Sequence, residues 1–146
     1  MTGLVCECGD GQESARSAGI RVLLVDDHAF VRTSLAELLS DEVDFSVVGE
    51  CEDGSQVVEA AARLRPDVVI MDLSMPVMDG LTATAALRAA QPEPRVVMLT
   101  GDGSAARHKA AAAGAHALVP KTARSQALLG CLRAVATGAD GCSYCL

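Results

Sequence analysis

Apolar runs of strand length alternate with helical patterns along most of the chain, and no other feature constrains its fold as strongly. The apolar runs lie at residues 20–25, 45–50, 67–71, 95–99 and 116–120. The helical patterns lie at residues 30–40, 55–65, 81–91, 105–114 and 125–138, with Gly114 placed as a helix C-cap. Strands joined by helical crossovers pair in parallel, and strands that are apolar throughout are buried on both faces. The pattern therefore predicts an open α/β fold with five parallel strands.

Length and charge indicate one acidic domain. The 146 residues suffice for a domain over 20–137, which leaves a flexible N-terminal extension at 1–19 and a C-terminal tail or linker at 138–146. The formal net charge of −7 argues against nucleic-acid binding by this chain alone, because that binding requires clustered Lys and Arg. We expect a cytoplasmic protein with no membrane contact, since the sequence shows neither a span of about 20 apolar residues nor a secretory signal.

Polar side chains stand where the predicted strands end. The first strand leads into Asp26 and Asp27, the third into Asp72, the fourth into Thr100 and the fifth into Lys121. In an open parallel sheet the carboxyl ends of the strands share one edge, and ligands bind there. Three carboxylates at one edge repel each other and need a cation, and hard oxygen ligands suit Mg²⁺.

The expected metal site takes its ligands from two strand ends and one loop. Asp27 and Asp72 are expected to bind Mg²⁺ directly, and Asp26 through a water molecule. The backbone carbonyl of Ser74 completes the protein's share. We expect the turns at Pro76 and at Asp79-Gly80 to keep the loop after Asp72 tight, with Gly80 free to take a positive φ.

Thr100 and Lys121 extend this site to a phosphoryl group. A hydroxyl and an ammonium each bind one phosphoryl oxygen, while a carboxylate attacks the phosphorus in line. Asp carboxylates serve as phosphoryl acceptors. The joint pattern indicates phosphoryl chemistry, whereas each residue alone has an ordinary structural explanation, such as helix capping for Asp26 and Asp27.

Over residues 20 to about 137 the chain resembles the receiver domain of two-component response regulators. Four segments carry the resemblance, in order and spacing: LLVDDHAFVR, DVVIMDLSMPVMDG, VVMLTG and AAGAHALVPK. The DDH opening, the MPVMDG loop and the ending LRAVATG are most similar to NarL/FixJ-type regulators. The resemblance implies a CheY-like, flavodoxin-like (βα)5 sandwich with strand order 2-1-3-4-5.

The same resemblance implies a role for each residue of the site. Asp72 is the phosphoacceptor, Asp26 and Asp27 hold Mg²⁺, Thr100 is the switch hydroxyl and Lys121 contacts the phosphate. The implied partners are a sensor histidine kinase and, on phosphorylation, a second copy of the chain. Many receivers carry a switch aromatic three positions before the lysine. Because this chain has Leu118 there, we expect Thr100 and the loop that follows it to transmit the signal.

Two classes of function are compared. The first is a signalling module, which is no enzyme beyond slow self-dephosphorylation. The second is an aspartyl-phosphate phosphatase of the haloacid-dehalogenase type. Such a phosphatase has a second acid two residues after its nucleophile, where this chain has Ser74, so the signalling class is favoured. The resemblance suggests transcription regulation through a helix-turn-helix output domain, and the alternative is a stand-alone receiver that acts by protein contacts.

His28 and the terminal cysteines have simpler interpretations. We expect His28 to be solvated or to cap a helix, since nothing else in the sequence pairs with it. Four cysteines near the chain ends offer either a zinc or disulfide site or two frayed tails; they are Cys6, Cys8, Cys142 and Cys145. We expect frayed tails, because C-x-C is a less usual ligand spacing and both segments are predicted to be flexible.

Overall fold

Five parallel strands form one sheet in the computed structural model, which describes residues 19–101, 106–138 and 144–146. The strands are β1 (Ile20–Val25), β2 (Phe45–Cys51), β3 (Val68–Asp72), β4 (Arg95–Thr100) and β5 (Ala117–Pro120). The helices are α1 (Ala29–Ser40), α2 (Val57–Leu64), α3 (Gly80–Ala90), α4 (Arg107–Ala113) and α5 (Ser125–Thr137), with a 3-10 turn at Gly54–Gln56. The strands lie in the order β2-β1-β3-β4-β5. The predicted flavodoxin-like fold with strand order 2-1-3-4-5 is therefore confirmed.

The element boundaries differ from the predicted ones by one or two residues, for local reasons. The second helical segment opens with a 3-10 turn, where the Asp53 carboxylate accepts a hydrogen bond from the Ser55 amide at 2.7 Å. Helix α3 begins at Gly80, because the Asp79 carboxylate caps it by accepting from the Thr82 amide at 2.8 Å. Gly114 ends α4 with φ of 100°, which confirms the predicted C-cap.

The core lies in two apolar layers, one on each face of the sheet. Alternate strand residues point to opposite faces, so Leu23 joins the layer under α2, α3 and α4, while Val22 joins the layer under α1 and α5. Each fully buried Leu, Val or Met side chain stabilises the fold by about 1.5–3 kcal/mol. No helix in the described ranges has both the length and the apolar character needed to cross a membrane.

The C-terminal residues 144–146 are paired with the sheet, which corrects the expectation of a frayed tail there. Cys145 forms an antiparallel bridge with Ala117 of β5 and is half-buried. The backbone of the preceding tail residues, 139–143, and of the proposed N-terminal extension up to residue 18 lies outside the described residues. The interpretations of Cys6, Cys8 and Cys142 therefore fall outside the described part of the chain.

Candidate functional site

Buried polar side chains lie at the carboxyl ends of three central strands, along one edge of the sheet. Asp26 follows β1, Asp72 is the last residue of β3 and Thr100 is the last residue of β4; all three are 1–2% exposed. The Asp26 amide donates to the Cys51 carbonyl at 3.1 Å, so β2 fixes the start of the loop after β1. Parallel pairing therefore gathers the predicted site residues at the same edge.

Lys121 extends its ammonium group into this edge from the end of β5. Its Nζ lies 3.0 Å from Asp72 Oδ1 and 3.8 Å from Asp26 Oδ2. Its backbone amide donates to the Thr100 carbonyl at 2.8 Å, which fixes the lysine beside the end of β4. The structure thus brings together one cation and two buried carboxylates, as the strand-end pattern predicts.

The Asp72 carboxyl has a raised pKa. Burial raises this pKa most, the hydrogen bond from Lys121 lowers it, and the negative charge of Asp26 raises it. The first and third effects arise because a charged carboxylate loses hydration and meets another carboxylate in the same enclosed space. The site consequently favours anything that adds positive charge beside Asp72.

Three carboxylate oxygens of the site are buried and lack a hydrogen-bond partner within the described residues. They are Asp26 Oδ2, Asp27 Oδ1 and Asp72 Oδ2. An unsatisfied buried acceptor is costly, and a charged one more so. One ligand atom from each of these acids and from His28 lies within 4.8 Å of the others. A divalent cation among these oxygens would satisfy all three at once.

His28 contacts the acidic cluster, a feature that the sequence interpretation missed. It occupies the N-cap position of α1 without a side-chain capping bond, and its side chain is 64% exposed, in agreement with a solvated residue. Its Nδ1 nevertheless lies 3.3 Å from Asp26 Oδ1 and 3.2 Å from Asp27 Oδ1, and the first contact has hydrogen-bond geometry. Its amide also donates to Asp26 Oδ1 at 2.8 Å. The adjacency of the DDH residues was the available signal.

Arg32 is a second residue that the sequence did not reveal. From α1 its Nη1 donates to the Asp26 carbonyl at 2.5 Å, and its Nε donates to Glu50 Oε1 at 2.9 Å. Arg32 therefore fixes the backbone of the loop that presents Asp26 and Asp27. No motif spacing marks this contact, since its partners belong to different elements.

The loop after Asp72 is tight, but for a different reason than predicted. Gly80 does not have a positive φ; it is needed because a Cβ there would lie 2.2 Å from the Asp72 carbonyl oxygen. The positive φ falls on Val77, at 67°, where the Met78 amide donates to the Pro76 carbonyl at 2.7 Å. The expectation for Gly80 was therefore wrong in conformation, although the glycine is required by close packing.

Ser74 lies directly beside the predicted acceptor. Its amide faces Asp72 Oδ1 at 3.4 Å. The role of its carbonyl as a metal ligand stays a prediction.

An apolar groove of about 310 Å³ adjoins the acidic cluster between α1 and the β5–α5 connection. Its lining includes Phe30, Leu35, Val119 and Pro120, and Lys121 also lines it. Phe30 is 81% exposed. Apolar surface therefore extends from the polar site along α1.

The model of the response regulator receiver domain family matches residues 22–133. The chain belongs to this family. The receiver fold accounts for the gathering of the acids, the hydroxyl and the lysine at the carboxyl edge of the sheet.

Individual receiver proteins show the same likeness. The transcriptional regulatory protein LiaR of Bacillus subtilis is 39% identical over 121 residues, which cover 82% of this chain and 57% of LiaR. A protein-glutamate methylesterase/protein-glutamine glutaminase of Shewanella frigidimarina is 42% identical over 104 residues, which cover 70% of this chain and 26% of that protein. The response regulator domain of Thermotoga maritima CheB superposes with a TM-score of 0.76 at 33% identity, over 84% of this chain and 99% of that one. The chain thus spans 57% of the length of LiaR and 26% of the length of the methylesterase.

Proposed function

We propose that this receiver accepts a phosphoryl group on Asp72 from a phosphohistidine of a sensor histidine kinase. The observation that carries the proposal is the surroundings of Asp72: a buried carboxylate with one unpartnered oxygen and the Lys121 ammonium 3.0 Å from the other. Lys121 is the cation that the incoming phosphoryl oxygens meet. The receiver family and the strand-end geometry support the same assignment.

The acidic cluster fits Mg²⁺, because it holds three buried carboxylate oxygens that accept no hydrogen bond from the described part of the chain. We propose that Asp26, Asp27, Asp72 and the carbonyl of Ser74 hold the ion, with Asp26 acting through water. When bound, Mg²⁺ supplies positive charge to the oxygens of the transferring phosphoryl group. His28 contributes by positioning the two carboxylates that it contacts.

In the proposed step a carboxylate oxygen of Asp72 attacks the phosphorus of the phosphohistidine. An O–P bond forms, the P–N bond breaks, and the leaving imidazole nitrogen keeps the electron pair and takes a proton from solvent. Lys121 stabilises the negative charge on the phosphoryl oxygens, because its ammonium already lies at Asp72. The Thr100 hydroxyl turns toward the new phosphoryl group and carries the change into the loop before α4.

We propose a phosphorylation-controlled signal carrier in preference to a phosphatase with turnover. Ser74 stands where the haloacid-dehalogenase type carries its general acid. In the described part of the site, His28 contacts Asp26 and Asp27 rather than Asp72. Methylesterase activity belongs to a relative of which this chain matches 26%. A signal carrier is expected to retain its phosphoryl group for minutes, whereas a phosphatase is expected to hydrolyse small phosphate esters repeatedly.

Two observations bear on what the phosphorylated receiver acts on: the likeness to LiaR and the net charge of this chain. The likeness to LiaR supports transcription regulation when the receiver is joined to a DNA-binding domain, and the alternative is a receiver that acts by protein contacts alone. We propose a cytoplasmic protein that forms a homodimer on phosphorylation. The chain itself carries a net charge of −7 and is proposed not to bind nucleic acid.

Intact mass spectrometry tests the phosphoacceptor. The chain is incubated with acetyl phosphate, with Mg²⁺ or with EDTA, and we expect the mass of one phosphoryl group only with Mg²⁺. Asp72→Asn should abolish this gain, whereas Asp41→Asn, an exposed aspartate at the end of α1, should retain it. Uptake by Asp72→Asn at the rate of the unmodified chain would show that another residue is phosphorylated.

A further inference from the structure

The outer edge of β5 is occupied by residues from the C-terminal end of the same chain. β5 is the last strand of the sheet and pairs with β4 on its inner side. On its outer side, the Leu118 amide donates to the Tyr144 carbonyl at 3.0 Å, and the Leu146 amide donates to the His116 carbonyl at 3.0 Å. Residues 144–146, named here the covering segment, thus form an antiparallel bridge with the outer edge of the sheet, between Cys145 and Ala117.

The covering segment is also bound to α4. The first residue of that helix, Arg107, donates from Nη2 to the Cys145 carbonyl. Tyr144 and Cys145 are half-buried and pack against the apolar layer shared by β5 and α5. The segment therefore contacts three elements: the edge of β5 by backbone bonds, α4 by a charged side chain, and the core by apolar contact.

An open sheet edge is a template for pairing with another chain, because its amides and carbonyls lack partners. Strand addition at such an edge is a common mode of peptide recognition. The covering segment uses the Leu118 amide of β5 and the carbonyl of His116, the residue before β5, so it competes with any extended segment from another molecule. Its occupancy decides whether the edge is available.

We propose that the covering segment is a displaceable strand that closes the β5 edge in the unphosphorylated chain and leaves it on phosphorylation. The coupling rests on the proposed function, in which Asp72 accepts the phosphoryl group. Both anchors are close to site residues in sequence: β5 leads into Lys121, and Arg107 begins α4 seven residues after Thr100. A shift of Lys121 and α4 toward a phosphorylated Asp72 moves the two anchors relative to each other and weakens the bonds of the segment.

Amide hydrogen exchange resolved by NMR tests the contact in the unphosphorylated chain. Leu146→Pro removes the amide that donates to His116, whereas the control Leu146→Ala keeps it. Arg107→Ala removes the bond to Cys145, whereas the control Lys109→Ala changes an exposed lysine on the same helix.

We expect exchange of the Leu118 amide to rise about fivefold or more in Leu146→Pro and in Arg107→Ala, and to stay unchanged in both controls. The His116 amide, which donates to Val96 inside the sheet, serves as an internal reference and should not change. Equal Leu118 exchange in all five proteins, including the unmodified chain, would overturn the proposal.

The coupling is tested by repeating the measurement on the full chain after acetyl phosphate and Mg²⁺, with phosphorylation verified by mass. We expect faster exchange at Leu118 in the phosphorylated chain. If the phosphoryl group is present and Leu118 exchange is unchanged, the coupling is wrong while the proposed function stands. If no phosphoryl group is taken up, the proposed function and the coupling both fail, and the comparison of Leu146→Pro with Leu146→Ala still decides whether the segment covers the edge.

Discussion

At the scale of single residues, Asp72 combines two opposed electrostatic effects. Burial and the neighbouring Asp26 disfavour its charged form, while Lys121 favours it. The net result is a raised pKa of Asp72. The negative charge of this carboxylate is therefore unfavourable in the folded chain, and a cation bound beside it would stabilise that charge. The proposed phosphoacceptor therefore also lowers the stability of the metal-free chain.

Asp72→Asn should raise the free energy of unfolding of the metal-free chain at pH 7, because it removes a buried charge whose pKa is raised in the folded state. The folded chain binds the Asp72 proton more tightly than the unfolded chain, so this contribution to stability is present at low pH. It is lost as pH rises from the ordinary value of 3.8 through the raised folded value. Urea titrations with EDTA should show the gain near pH 7 and none near pH 3, with Asp41→Asn as the control. A loss of stability at pH 7 would contradict this sign.

Lys121→Gln should slow phosphorylation by acetyl phosphate at least about tenfold, since the variant loses the charge that meets the phosphoryl oxygens. The side chain is one-third exposed, so its replacement should leave the fold intact. Lys109→Gln, an exposed change on α4, is the matched control. The rate of mass gain with saturating Mg²⁺ measures the effect, and equal rates for the two variants would remove Lys121 from the proposed step.

At the scale of elements, the start of α3 determines the position of the Asp72 backbone. Gly80→Ala should destabilise the chain by about 1–3 kcal/mol, because the new Cβ meets the Asp72 carbonyl oxygen at 2.2 Å and Met98 Cε at 2.9 Å. Gly130→Ala in α5 is the contrasting change: its Cβ meets nothing within 4 Å, and Ala is the better helix former by about 0.5–1 kcal/mol. Thermal unfolding of both variants should therefore shift in opposite directions. A stable Gly80→Ala variant would show that the loop after Asp72 yields easily.

Elements and strand ends could be predicted because they depend on local periodicity and on the rule that parallel strands share a carboxyl edge. Asp26, Asp72, Thr100 and Lys121 lie at one edge of the sheet for that reason. The conformation of Gly80 was mispredicted because its need arises from a carbonyl eight residues away in sequence, not from the turn itself. The covering segment was missed because edge pairing uses backbone groups, which leave no side-chain pattern.

At the scale of the whole molecule, the net charge of −7 opposes association with another polyanion. Binding to duplex DNA is driven by the release of counterions when Lys and Arg neutralise phosphates, and an acidic chain offers little of this effect. We expect no submicromolar binding of the 146-residue chain to duplex DNA at physiological salt, measured by fluorescence anisotropy. Salt-dependent submicromolar binding would show that the chain itself contains a DNA-binding surface.

We expect the acidic cluster at the strand ends to make the stability of the chain depend on a divalent cation. An ion that binds only the folded state adds about 1.4 kcal/mol at ten times its dissociation constant, so Mg²⁺ should raise the unfolding temperature in a saturable way. NaCl of equal ionic strength is the necessary comparison, because it screens charge without occupying the site. Asp27→Asn should lose most of the Mg²⁺ increment, since it removes the negative charge of one carboxylate of the acidic cluster, whereas Asp41→Asn should keep it. If Mg²⁺ stabilises both variants equally, the ion acts through the general charge of the surface, and the acidic cluster at the strand ends is not its site.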